Sequence, residues 1–263
     1  MTLFGVIAPH DQTTAALDAG ADYIEPTIVG NVVTQSASGE WSLNPAYSGG
    51  RYPSFAILVS GDVRVADPAV PFHVVTDYFA SVLPLVASIA EPGAKVVFGS
   101  GSARTIPATA DRAAAEARFA ESLRAARDIA LAADLRIILE PLHVGETNLI
   151  YTIEEAAEFL DAHEIDGVTI VADLFHIQLE HEPLSVAHRL GHRIGHVHIA
   201  DTARRYIGSG DWPWREFLTT LLDDGYDGSV SLECSWGDDF SGEVAASLRE
   251  LREFDTSRLL TSR

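Results

Sequence analysis

Short apolar runs alternate with longer amphipathic stretches along the whole chain. Several runs are apolar at nearly every position, which is typical of strands buried on both faces. Eight runs are predicted to be strands: LFGVIA (3–8), DYIEP (22–26), SFAILV (54–59), AKVVFG (94–99), LRIILEP (135–141), GVTIVAD (167–173), RIGHVHIAD (193–201) and GSVSLEC (228–234).

The stretches between these runs have the composition of helices. The clearest is DRAAAEARFAESLRAARDIALAAD (111–134), which Asp111 opens as an N-cap. In TIEEAAEFLDAH (152–163), Thr152 is followed three residues later by Glu155, as in a capping box. Eight strand–helix units without a linker predict a single (β/α)8 TIM barrel over residues 1–263. Residues 27–53 are rich in Ser, Asn and Gly and are expected to form a long loop or lid.

Composition narrows the classes of partner. The formal charge of −20 among 263 residues disfavours binding to nucleic acid and to anionic membranes. Cys234 is the only cysteine, so no intramolecular disulfide is expected. The first residues lack the basic and apolar regions of a signal peptide. The apolar segment 78–90 is shorter than the roughly 20 residues of a membrane span. We therefore expect a cytoplasmic protein without a nucleic-acid or membrane partner.

Four consecutive predicted strands carry a metal-ligand residue near the same end. These residues are Glu140, Asp173, His198 and Glu233. One acid at a strand end is commonly a helix N-cap, and Asp173 could serve only as one. Four together in apolar runs are harder to explain in this way, because a buried carboxylate is costly unless it is paired or bound to metal. Three carboxylates and one imidazole suit one divalent ion, Mn²⁺, Mg²⁺ or Co²⁺.

Two histidines two residues apart lie in the seventh predicted strand. Side chains at this spacing face the same side of a strand, so His196 and His198 are expected to point into the barrel together. We place His198 at the metal. His196 lies one layer deeper, where a hydrogen-bonded core histidine is the favoured interpretation over a ligand contact.

These motifs, in this order, resemble the xylose-isomerase-like barrel superfamily. The similarity is to its sugar isomerase/epimerase branch, which includes tagatose and psicose 3-epimerases and hydroxypyruvate isomerases, and it covers residues 94 to 236. LEPLHVGETN resembles the Glu-Pro-Leu segment of that family. The resemblance implies that Glu140 is a metal ligand and catalytic base, and that Glu146 binds substrate.

The remaining motifs carry further implied roles. DLFH resembles the Asp-x-x-His of the family, which makes Asp173 a ligand and His176 a contact of a substrate hydroxyl. In GHVHIADTAR, His198 would bind metal and Arg204 would bind substrate. Glu233 would be the fourth ligand and the second base. The implied substrate is a small sugar or polyol-derived ketone, and barrels of this branch often form homo-oligomers.

The expected chemistry is proton transfer beside a carbonyl. The metal would act as Lewis acid, Glu140 and Glu233 as acid and base, and an enediolate would be the intermediate. The main alternative is a dehydratase of the inosose or dehydroshikimate type, which expels a β-hydroxyl from the same enediolate. A DNA endonuclease of the same superfamily is disfavoured by the negative charge. A sugar-binding barrel without activity would be expected to have lost a ligand or base.

Three further residues are weaker candidates. Glu25, at the end of the second predicted strand, is a substrate contact or a salt-bridge partner inside the barrel. His10 follows the first strand and is a candidate for the pocket mouth or an ordinary loop residue. Arg104 follows the glycine-rich FGSGS segment, where it would bind an anionic group or lie at the surface. This segment lacks the lysine of a P-loop and is a weak phosphate signal.

Overall fold

Parallel strands surrounded by helices form a nearly closed barrel. A computed structural model describes residues 2–261, with side chains to residue 258. The barrel strands are β1 (Phe4–Ile7), β2 (Tyr23–Glu25), β5 (Tyr52–Phe55), β6 (Ala90–Phe98), β7 (Arg136–Leu139), β8 (Thr169–Asp173), β9 (Ile194–Ile199) and β10 (Val230–Leu232). They pair in the order β2-β1-β10-β9-β8-β7-β6-β5. The predicted TIM barrel is confirmed.

The two ends of this sheet meet beyond the ends of β2 and β5. Ala56 donates to Pro26 O at 3.0 Å and accepts from Ile28 N at 2.8 Å, and Thr27 and Ala56 form a parallel bridge. These bonds close the barrel, although β2 and β5 form no regular strand pairing with each other. The carboxyl ends of the strands therefore surround one opening, where barrel enzymes place their active sites.

The helices pack outside the strands. They are α1 (Thr13–Asp18), α2 (Phe72–Ala87), α3 (Gly101–Arg104), α4 (Arg112–Ala132), α5 (Ile153–Ala162), α6 (Leu174–Leu179), α7 (Ser185–Leu190), α8 (Trp214–Asp223) and α9 (Phe240–Thr261). The predicted caps are present: Asp111 accepts from Ala114 N, and Thr152 Oγ1 accepts from Glu155 N. None of the helices among residues 2–261 is long and apolar enough to cross a membrane.

The segment expected to be a long loop or lid has regular structure, so the expectation of a loop was wrong, whereas a lid stays a prediction. Within residues 27–53, β3 (Val33–Gln35) and β4 (Trp41–Leu43) form an antiparallel hairpin, and a short 3₁₀ turn follows at Pro45–Tyr47. The barrel strand β5 also begins at Tyr52, two residues before the predicted run. The hairpin is stabilised by its neighbours, because Val33 is buried and Trp41 packs edge-on against Tyr78 of α2.

Candidate active site

Four donor residues meet at the carboxyl ends of β7 to β10. Asp173 and His198 are direct partners in the pairing of β8 with β9, and Glu140 and Glu233 follow the ends of β7 and β10. One ligand atom from each of the four lies within 4.8 Å of every other. The Glu140, Asp173 and His198 side chains are buried, and Glu233 is partly exposed. The structure thus brings together all four residues expected to bind metal.

The imidazole of His198 lies between two carboxylates. Its Nδ1 is 3.1 Å from Glu140 Oε1 and 2.8 Å from Glu233 Oε2. Its other nitrogen, Nε2, is 3.0 Å from Glu25 Oε1. An ionised carboxylate can only accept a hydrogen bond, so Nε2 carries the proton donated to Glu25. Burial opposes the charge of the ring, but Glu25, Glu233 and Glu140 outweigh it and raise the pKa of His198 well above its usual value, so Nδ1 is protonated as well without a metal. A cation at the cluster would displace that proton and take the Nδ1 lone pair. This is the orientation that a metal-binding histidine requires.

The donor set fits a divalent cation. Asp173 Oδ2 is buried and has no hydrogen-bond partner among the described residues, and the buried Glu233 Oε2 has only its ion-pair contact with His198 Nδ1. Leaving a buried charged oxygen without a partner is costly, and a cation removes that cost. Three carboxylates with one imidazole are the ligand types that suit Mn²⁺, Mg²⁺ or Co²⁺.

The electrostatics of the cluster agree with this fit. Burial, together with the negative charge of Glu233, raises the pKa of Glu140 to about 7 and that of Asp173 to about 6. Burial also acts to raise the pKa of Glu233, but His198 and Arg204 outweigh it and lower that pKa to about 2. The protein therefore crowds negative charge at one point, where a positive ion would be attracted.

Glu25 lies beneath the cluster, inside the barrel, and is fully buried. Its second oxygen, Oε2, is 2.7 Å from His196 Nε2 and accepts from Ser54 Oγ at 2.8 Å and Ser231 Oγ at 2.5 Å. Burial opposes ionisation of this carboxyl, but His196 and His198 hold its pKa well below the usual value. Glu25 is thus an ion-pair partner inside the barrel. It does not line the catalytic cavity, so the alternative of a substrate contact was wrong.

His196 is the core histidine that was expected. It is fully buried, and its Nδ1 lies 3.4 Å from Lys95 Nζ on the side away from Glu25. Burial lowers its pKa to about 4. It therefore supports the buried polar network beneath the cluster.

His176 is held in one tautomer by its neighbour. Its Nδ1 accepts from the backbone N–H of His143 at 3.1 Å, so the hydrogen of the neutral ring is on Nε2. Burial lowers the pKa of His176 to about 3, which keeps the ring neutral. Nε2 lies 3.4 Å from Asp173 Oδ2 but has no hydrogen-bond partner among residues 2–261. His176 therefore presents a free N–H donor, and sequence reasoning had not identified the part of His143.

Arg204 approaches the cluster from the loop after β9. Its guanidinium contacts Glu233 Oε1, lies 3.5 Å from Glu146 Oε1 and covers the ring of Phe175 at 4.5 Å. Ala203 and Arg204 both have positive φ, of 58° and 60°, which is costly for residues other than glycine. The loop thus maintains a strained backbone that directs Arg204 towards two acids.

The buried carboxylate of Asp201 organises that loop, and the sequence reading missed it. It accepts from the backbone N–H groups of Thr202, Gly208, Gly210 and Trp212 at 2.7 to 3.1 Å. Each bond satisfies a backbone N–H group that would otherwise need a water molecule as its acceptor. The glycine-punctuated sequence after Asp201 is the signal that could have indicated such a turn.

A cavity of about 590 Å³ opens above the cluster. Its lining includes all three residues expected to bind substrate, Glu146, His176 and Arg204, and the two acids Glu140 and Glu233. The remaining wall consists of small polar and apolar residues: Val29, Ile57, Val59, Ser60, Gly61, Ser100, Gly101, Ser102, Leu142 and Ser235. The volume lies within the usual range of small-molecule sites.

The two interpretations of Arg104 were both wrong. Its side chain is fully buried and donates to the backbone carbonyls of Glu140 at 2.7 Å and Ile150 at 3.2 Å. It therefore anchors both ends of the segment that carries Glu140 and Glu146, and it cannot reach an anion in the cavity.

Gly99 makes room for a carboxylate of the site. A Cβ at this position would lie 2.1 Å from Glu140 Oε2.

His10 lies outside the residues that line the cavity. Its backbone N–H donates to Tyr47 Oη at 2.9 Å, and its ring packs edge-on against the ring of Tyr47. This contact fixes His10 to the chain after the hairpin and fits the interpretation as an ordinary loop histidine. Its place at the pocket mouth stays a prediction.

Comparison with known proteins defines the protein family. The family model of the xylose isomerase-like TIM barrel matches residues 79–254, and the chain belongs to this family.

Curated relatives in this class are sugar epimerases. D-psicose 3-epimerase of Ruminiclostridium cellulolyticum is 34% identical over 117 residues, which cover 44% of this chain and 40% of that protein. 3-Dehydro-D-guloside 4-epimerase of Escherichia coli is 29% identical over 157 residues, 57% of this chain and 60% of the relative. The chain matches less than two thirds of the length of either relative.

A solved structure extends the likeness of fold to nearly the whole chain. D-psicose 3-epimerase from Clostridium cellulolyticum H10, determined with D-tagatose, superposes with a TM-score of 0.78 at 20% identity. The superposition covers 97% of this chain and 99% of that one. At this identity the likeness establishes a shared fold.

Proposed function

We propose that this protein is a divalent-metal-dependent sugar epimerase that moves a proton on a carbon beside a carbonyl. The observation that carries the proposal is the pair Glu140 and Glu233, two carboxylates that reach one donor cluster from strands separated by two others. The epimerase relatives support the same class of reaction.

The ligands in this proposal are Glu140, Asp173, His198 and Glu233. When bound, the divalent ion would supply Lewis-acid polarisation of the substrate carbonyl and would offset negative charge that develops on its oxygen. Asp173 also caps α6, since its Oδ1 accepts from Phe175 N at 2.9 Å. Its other oxygen remains for the metal, so the structural and functional interpretations of Asp173 are compatible.

Glu140 and Glu233 exchange the proton. One carboxylate removes it from the carbon beside the carbonyl and leaves a planar enediolate. The other returns a proton to that carbon from the opposite face, which inverts its configuration. Arg204 holds Glu233 in place, and the Arg104 guanidinium anchors the backbone of Glu140. Both bases therefore act from fixed positions, as efficient proton transfer requires.

Three groups would bind the substrate oxygens. The free Nε2–H of His176 donates to a hydroxyl or carbonyl oxygen. The guanidinium of Arg204 donates to a neighbouring oxygen, and the Glu146 carboxylate accepts from a hydroxyl. All three line the cavity above the cluster. Their combined donors and acceptors match a polyhydroxylated ketone, which we propose as the substrate class.

Glu25 is proposed to act through His198. Its carboxylate fixes the ring with Nδ1 towards the cluster. Three contacts, from His196, Ser54 and Ser231, fix the carboxylate in turn. Carboxylates placed behind a metal-binding histidine orient the ring and raise its basicity. Glu25 is a positioning residue in this account and does not contact substrate.

The site variants Glu140→Gln and Glu233→Gln test the proposal. Each keeps the shape of the side chain but removes its capacity to accept a proton, so exchange of the substrate proton should fall by at least about 100-fold. Glu154→Gln is the matched control, because Glu154 is half-exposed and paired with Arg189 on the outside of the barrel. Full activity in either site variant would refute the two-base scheme. Loss of water in place of exchange would indicate a dehydratase.

A further inference from the structure

A second cavity adjoins the catalytic one. Its volume is about 410 Å³, and Ser60 lines both cavities. Ser60 belongs to the loop that follows β5, and Asp62 and Val63 of the same loop line the second cavity. A ligand bound over the cluster could therefore extend past Ser60 towards this space.

An aromatic wall forms one side of the second cavity. Trp41 comes from the β3–β4 hairpin and Tyr78 from α2, with ring centroids 5.3 Å apart and planes at 88°. Tyr78 is buried and its hydroxyl donates to Leu58 O, whereas Trp41 is half-buried. The half-buried indole offers a flat apolar surface, and such surfaces pack well against the C–H faces of sugar rings.

Three polar side chains around this wall have no hydrogen-bond or ion-pair partner in the described part of the protein. Among residues 2–261, no protein group forms a hydrogen bond or ion pair with the side chains of Asp62, His73 or Asp77, which all line the cavity. Two carboxylates and an imidazole can bind several hydroxyl groups. None of the described lining residues is Lys or Arg, so the cavity is unsuited to a phosphate or carboxylate.

We propose that this second cavity is a subsite for a neutral sugar ring, so that the preferred substrate is a keto-sugar joined by a glycosidic bond to a second ring. The proposal rests on the function proposed above, because the keto-sugar must react at the cluster. The first ring occupies the catalytic cavity, the linkage passes over Ser60, and the second ring packs on Trp41 with its hydroxyls bound by Asp62 and Asp77.

Four commercially available ketoses test the proposal directly. D-fructose has no extension, isomaltulose and lactulose add a neutral second ring at different positions, and D-fructose 6-phosphate adds an anion. With the Mn²⁺-loaded full chain, saturation-transfer NMR should show contact with the second-ring protons of at least one disaccharide. Its kcat/KM for deuterium exchange should exceed that of D-fructose by about tenfold, as expected for one aromatic contact with added hydrogen bonds. D-fructose 6-phosphate should gain nothing.

Variants of the lining residues test whether a preference for the disaccharide over fructose comes from the second cavity. Trp41→Leu should reduce the ratio of kcat/KM between disaccharide and fructose by about tenfold, and Asp77→Asn should reduce it by a smaller factor. Tyr151→Leu and Asp128→Asn are matched controls away from this cavity, and both should leave the ratio unchanged. An equal effect of Trp41→Leu on both substrates would overturn the proposal. A preference for fructose or for its phosphate would do the same.

Failure of the subsite can be told apart from failure of the proposed function. Binding of the second ring without deuterium exchange on any ketose would refute the epimerase and support the subsite. Exchange on fructose, with no saturation transfer to either second ring, would refute the subsite and support the epimerase.

Discussion

Replacing Glu140 by Gln should stabilise the metal-free protein at alkaline pH. Glu140 is buried against Glu233, and its pKa is raised from the usual 4.5 to about 7. Above pH 7 the folded state must hold this carboxylate ionised, which costs free energy that the unfolded state does not bear. A shift of about 2.5 units corresponds to about 3 kcal/mol, because each pKa unit is 1.36 kcal/mol.

The sign of the effect follows from proton binding. Between pH 4.5 and 7 the folded state holds the Glu140 proton and the unfolded state has lost it, so the free energy of unfolding falls as pH rises. At pH 5 the cost is less than about 1 kcal/mol, and at pH 8 it reaches about 3 kcal/mol. The Gln side chain keeps the volume without the charge, so the advantage of the variant should grow by about 2 kcal/mol between these pH values.

Urea unfolding in the presence of a chelator measures this difference. The wild type, Glu140→Gln and the half-exposed control Glu154→Gln are compared at pH 5 and pH 8. Added Mn²⁺ should reverse the order, because binding to the folded state stabilises the wild type more than a variant that lacks a ligand. Equal stability of wild type and Glu140→Gln at pH 8, without metal, would refute the electrostatic reasoning.

Three further predictions concern residues that support the cluster. Glu25→Gln should weaken Mn²⁺ binding by about 10- to 100-fold in calorimetric titration, whereas Ser54→Ala, which removes another contact of Glu25, should weaken it far less. Gly99→Ala places a methyl group against Glu140 and should lower Mn²⁺ affinity with the helical circular-dichroism signal retained; unchanged affinity would contradict the close approach. Asp201→Ala removes four loop hydrogen bonds and should raise the substrate KM by about tenfold, together with increased proteolysis of the loop, which a limited trypsin digest detects.

The alternating pattern was sufficient to predict the barrel and the meeting of four donor side chains at one end of it. A buried parallel strand must be apolar along its length, so Glu140, Asp173 and Glu233 stand out at the ends of such strands. Parallel strands of one barrel carry their carboxyl ends to the same opening, which makes the meeting of these side chains a consequence of the fold. His198 could be assigned with them because strand alternation fixes the side to which it points.

Features that depend on distant contacts were not predictable in the same way. The hairpin of β3 and β4 is short and polar, and its stability comes from α2 through Trp41 and Tyr78. Arg104 followed glycines that suggested an anion site, yet those glycines allow close packing against the Glu140 segment. The partners of Glu25 are separated from it by up to 206 residues in sequence. No local pattern specifies contacts of this kind.

The most direct test of the central claim is proton exchange in D₂O. The purified protein is incubated with Mn²⁺ and a panel of ketoses, aldoses and keto-glycosides, and NMR follows deuterium at each carbon. We expect deuterium on a carbon beside the carbonyl, with an epimeric product, and loss of both when the metal is chelated. Exchange that persists undiminished with chelator, or turnover to an epimer without any deuterium incorporation, would contradict the claim.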